Sequence, residues 1–157
     1  MSKRLLNLPL LFFSAFLAAS LPKAQDLQQL ELGGYKRLLV LAPHCDDETL
    51  GSAGLILACL RAGLQVRVAL QTNGDGFLFA TMAEFHQFYP SHQDFIKMGA
   101  LRQQESLNAL RLLGVEQVSF LSYQDRGTPS LWVEHWSASS PYYSPYSADR
   151  RSPYPIT

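Results

Sequence analysis

His44, Cys45, Asp46, Asp47 and Glu48 follow one another without a gap, and each can bind a metal or move a proton. Adjacent carboxylates beside an imidazole repel and desolvate one another unless a cation or a substrate sits among them. The H-x-x-D spacing of His44 and Asp47 lets both side chains reach one ion from a single turn. Imidazole with carboxylate suits Zn²⁺ at a catalytic site, which takes three protein ligands and keeps one position open for water. Asp46, between the two, would then face that water as a general base. The plainer alternative makes Asp46 and Asp47 helix caps and His44 a solvated turn residue; this spacing alone does not decide between them.

Such a turn has to be held by regular elements. Arg37–Ala42 is a short apolar run of buried-strand character, broken by Pro43. A helix is expected over 49–62, with Leu50, Ala53, Leu57 and Leu60 on one face and Gly63 as its stop. Gln65–Thr72 alternates through Val66, Val68 and Leu70 and reads as a second strand. The two strands should pair in parallel through a right-handed crossover, which brings the turn at 73–76 to the same sheet edge as the acidic cluster. Residues 77–95 are aromatic-rich and irregular, either a lid or pocket wall or a loop packing its own rings onto the core. A second helix is expected over 98–113, with Leu101, Leu107, Leu110 and Leu113 inward, and a third strand over 117–121. Its exit carries Asp125 and Arg126 to that same edge. The fold class is therefore α/β, a parallel sheet of βαβ units that places ligands outside the carboxyl ends of its strands. Three strands are few for an architecture that usually has about five or six, so the fold is expected to be incomplete at the C-terminus. From about 130 the tail is irregular, with Trp136, Pro-Tyr pairs and Arg150-Arg151 in no helical or strand period.

Composition narrows the partners. The chain has 157 residues, a formal net charge of +0, 47% hydrophobic and 17% charged residues. That fits one globular domain and lacks the basic excess expected of a nucleic-acid partner. Lys3-Arg4, the apolar run 5–19 and Ala18-Ala19-Ser20 read as a signal peptide over 1–24, followed by one domain over 36–157. The mature chain is then expected to be secreted or extracytoplasmic, touching a membrane only through an uncleaved signal. Cys59 reads as a buried thiol, and two cysteines make no disulfide framework.

The stretch Leu-Ala-Pro-His-Cys-Asp-Asp-Glu-Thr-Leu-Gly resembles the H-P-D-D-E zinc signature of the PIG-L / LmbE-like family of N-acetylglucosaminyl deacetylases. Thr72-Asn73-Gly74-Asp75-Gly76 looks like the family's Thr-x-Gly turn. The helix with Arg102, Glu105, Ala109 and Gly114 is similar to its Arg/Glu helix, and Tyr123-Gln124-Asp125 falls where its members place a substrate-side Asp. The resemblance covers 37–127. It implies that His44 and Asp47 ligate zinc, that Asp46 is the general base, and that Arg102 and Asp125 hold the sugar. It also implies a Rossmann-like parallel α/β sheet and zinc-dependent hydrolysis of an N-acetyl group from an N-acetylglucosamine-type amino sugar conjugate.

Two departures qualify the resemblance. Cys45 stands where the family has Pro, and a thiol beside zinc could compete as a ligand. The family's late H-x-D-H motif, source of a third ligand and of an assisting His, has no counterpart in the settings of His86, His92 and His135. A truncated or degenerate relative that binds sugar or metal weakly, without catalysis, is therefore the alternative. A dinucleotide-binding oxidoreductase is excluded, because the carboxylates of the first turn would repel a pyrophosphate.

Overall fold

The computed structural model describes residues 30–155; the expected signal peptide lies outside the described residues. Contacts divide the chain after Glu31, and the fold below is that of the unit Leu32–Thr157. Its elements are β1 (Arg37–Ala42), α1 (Asp47–Arg61), β2 (Gln65–Thr72), α2 (Leu78–Phe85), α3 (His92–Leu113), β3 (Gln117–Tyr123) and α4 (Thr128–Val133). The strands lie in the order β1-β2-β3, all parallel, with Val40 opposite Val68 and Leu70 opposite Phe120. Each crossover contains a helix, as parallel pairing requires. Val40, Ala42, Val66, Val68, Leu70 and Phe120 form the buried face of the sheet, closed by Ile56 and Cys59 of α1 and Leu110 of α3. Leu39 and Leu41, pointing the other way, are exposed.

Three details depart from the sequence reading. The inward residues of α1 are Glu48, Ile56 and Cys59, whereas Leu50 is 84% exposed. Apolar residues surround this helix, so periodicity alone does not select a face. The stretch 77–95 is largely helical: α2 occupies its first half, and α3 begins at His92, ahead of the expected 98. The start is set by a capping box in which Asp94 N–H donates to Ser91 Oγ and Ser91 N–H to Asp94 Oδ2.

The tail has little regular structure beyond α4, yet it is seated on the domain. Tyr154 is buried, and its hydroxyl donates to Asp75 Oδ2 at 3.0 Å and approaches the Ile96 carbonyl at 3.1 Å. Burial pushes the Asp75 carboxyl above its ordinary range and the Tyr154 phenol well above its own. The ring passes over Gly99, where a Cβ would lie 2.2 Å from Tyr154 Oη and 3.1 Å from Asp75 Cβ. Gly99→Ala is accordingly expected to unseat Tyr154 at a cost of about 1–3 kcal/mol, read by urea denaturation. In a Tyr154→Ala background the same change should cost much less.

Candidate active site

Asp46 stands between β1 and α1 with φ 131° and ψ −34°, a conformation that costs a non-glycine residue about 1–3 kcal/mol. Its carbonyl accepts the N–H groups of Thr49 and Leu50 at 3.0 and 2.9 Å and so opens the helix. The side chain makes no cap bond, against the helix-cap alternative. It stands half-exposed instead, with Oδ2 accepting from Arg102 Nη2 at 2.8 Å.

Asp47, the first helical residue, turns back toward His44. Its Oδ2 accepts the His44 N–H at 3.1 Å and lies 3.2 Å from His44 Nδ1. Two ligands of a tetrahedral zinc ion, each about 2.0–2.1 Å from the metal, stand about 3.3 Å apart. The pair is joined in this structure as a hydrogen-bonded contact, whose separation is also that of two adjacent ligands of one ion, and its donor types, imidazole and carboxylate, are those Zn²⁺ takes. Among the described residues, no three His, Cys, Asp or Glu side chains are grouped so as to close a metal site. Cys45 is buried and turned away, its thiol against the Thr72 carbonyl at 3.9 Å, and burial pushes its pKa up to about 11.

The three strand exits meet here. Asp125 is buried, with Oδ2 accepting from Gly76 N–H and Oδ1 from Arg126 N–H, each at 2.9 Å; His44 Nε2 is 3.3 Å from Oδ1. Arg102 reaches in from α3, donating through Nη1 to the Gly74 carbonyl at 2.9 Å and through Nη2 to the Cys45 carbonyl. Gly74 holds φ 65°, which favours glycine, and a Cβ there would lie 2.0 Å from Arg102 Nη1, so any other residue would have to displace the guanidinium. The result is an open cleft of about 420 Å³ lined by His44, Asp46, Asp47, Phe77, Arg102, Asp125 and Arg126. All five residues named from the sequence line this cleft, although Arg102 and Asp125 are engaged by protein partners.

Two participants escaped the sequence reading in their role. Glu48 is buried, its Oε2 accepting Asp46 N–H at 2.9 Å and its Oε1 the Ser106 hydroxyl at 2.8 Å. Ser106 lies four residues beyond Arg102, hence on the same face of α3, and that spacing was the available signal.

The family model described as GlcNAc-PI de-N-acetylase, PIG-L, matches residues 39–147. Over 106 residues the chain is 35% identical to a 1D-myo-inositol 2-acetamido-2-deoxy-alpha-D-glucopyranoside deacetylase of Mycobacterium sp. (strain KMS), covering 67% of this chain and 32% of that protein. The chain thus spans about a third of the length of the curated relatives it matches. Among solved structures, the N,N'-diacetylchitobiose deacetylase from Pyrococcus horikoshii is 28% identical, with a TM-score of 0.47, covering 57% of this chain and 30% of that one. The 4-carboxy-2-hydroxymuconate hydratase from Pseudomonas putida KT2440 is 22% identical, with a TM-score of 0.49, covering 59% and 36%.

Proposed function

This chain belongs to the PIG-L (GlcNAc-PI de-N-acetylase) family, and on that premise we propose a zinc-dependent hydrolase that removes the N-acetyl group of an N-acetylglucosamine-type conjugate. The observation that carries the reading is the approach of His44 Nδ1 to Asp47 Oδ2 at 3.2 Å beside the half-exposed carboxylate of Asp46. His44 and Asp47 would hold Zn²⁺, which when bound polarises an amide carbonyl and acidifies water. Asp46 takes the proton of the attacking water and passes it to the departing amine, so that acetate and a free amino sugar result. Arg102 steadies that carboxylate while leaving it open to the cleft. Arg126, beside it, adds a second cation to the cleft wall where sugar hydroxyls or a charged aglycone would lie. As the resemblance has it, Arg102 and Asp125 are the substrate-side residues. Export on the strength of residues 1–24 belongs to the same proposal.

The test is acetate release from N-acetylglucosamine conjugates by the protein purified with Zn²⁺. The expected result is release that stops with a chelator and returns with added Zn²⁺. Zinc bound without release from any such conjugate would support a second reading, the non-catalytic relative, which the two-ligand set among the described residues favours.

A further inference from the structure

We infer that Glu48 and Ser106 are positioning residues for this deacetylation, acting through the backbone of Asp46; the inference rests on Asp46 being the general base. Residue 46 holds φ 131°, where an Asp stays only if its surroundings compel it. The compulsion comes from both sides of the residue. Behind it, Arg102 Nη2 donates to the Cys45 carbonyl, the peptide that leads into Asp46. At its own N–H, Glu48 Oε2 accepts at 2.9 Å.

Glu48 could face solvent at the first turn of α1 and still complement the helix dipole. It is instead 1% exposed, a placement that is costly for a carboxylate unless both oxygens are satisfied. One oxygen takes the Asp46 N–H and the other the Ser106 hydroxyl at 2.8 Å. Ser106 and Arg102 stand one turn apart on α3: Arg102 holds residue 46 directly, at its preceding carbonyl and its carboxylate, and Ser106 holds it through Glu48, whose other oxygen accepts the Asp46 N–H. Without the Glu48 acceptor, residue 46 relaxes toward an ordinary φ and its carboxylate swings relative to His44 and Asp47. Displacing a reacting group by about 1 Å costs on the order of 10²-fold in rate.

The experiment compares Glu48→Ala and Glu48→Gln in the full chain. Gln keeps an oxygen for the Asp46 N–H, and its amide can donate to the Ser106 oxygen. Glu48→Ala is expected to lower kcat by about 10²-fold, with KM and zinc affinity within a few-fold, and Glu48→Gln to recover most of the loss. Crystal structures should find residue 46 at positive φ in the Gln variant and relaxed in the Ala variant. If Glu48→Ala does not fold, Ser106→Ala, which frees one Glu48 oxygen, is read the same way: a fall in kcat at constant KM supports the role, and unchanged kcat overturns it. Residue 46 still at positive φ in Glu48→Ala, with kcat intact, also overturns it and leaves the base assignment standing. Full activity in Asp46→Asn removes the base assignment instead, whatever the backbone of the Glu48 variants does.

Discussion

Asp46→Asn is expected to keep zinc binding within a few-fold and to lower kcat by about 10²–10⁴-fold, the range a positioned general base contributes. Asn has nearly the shape of Asp, and its carbonyl oxygen can still accept the Arg102 donor that Asp46 Oδ2 accepts at 2.8 Å. The backbone bond from residue 46 to Glu48 is untouched, so the turn should persist. What is lost is the ability to take a proton, since an amide has no basic site in this range. Metal stoichiometry and single-turnover acetate release, measured on the same preparation, separate the two effects. An Asn variant that binds zinc and turns over normally would sink the assignment.

His44→Ala should act on the metal. Removing the imidazole leaves Asp47 as the single side chain of the pair, and zinc affinity is expected to fall by more than about 10²-fold, the upper range of changes that alter only outer-shell contacts. The bond from the residue-44 N–H to Asp47 Oδ2 uses backbone and survives the substitution. The His44 side chain is 46% exposed and contributes little packing, but its Nε2 lies 3.3 Å from the buried Asp125 carboxylate, so its loss should cost about 1–2 kcal/mol of unfolding free energy. Chelator competition and urea denaturation run side by side distinguish lost metal from lost fold. Zinc affinity unchanged in the Ala variant would show that the ion is held elsewhere.

The sequence by itself determined what is local. The apolar runs of β1 and β2, the helix-length segment between them and Gly63 dictated a parallel pair whose carboxyl edge carries the acidic turn. Within that turn the His44–Asp47 contact spans three residues, so their spacing carried it. The capping box of Ser91 and Asp94 was equally local but lay within an aromatic stretch, and there composition misled where a four-residue signal was sufficient. Only the tertiary structure decided the rest. Arg102 meets Asp46 across 56 residues, and Ser106 meets Glu48 across 58. Such pairs depend on how α3 docks beside α1, a matter of rotation and depth that periodicity leaves open when a helix is apolar on several sides. Docking is what buried Glu48 against Ser106 while Leu50 was left exposed. The same docking put residue 46 at a positive φ, a conformation that its own side chain does not favour and that its distant partners impose.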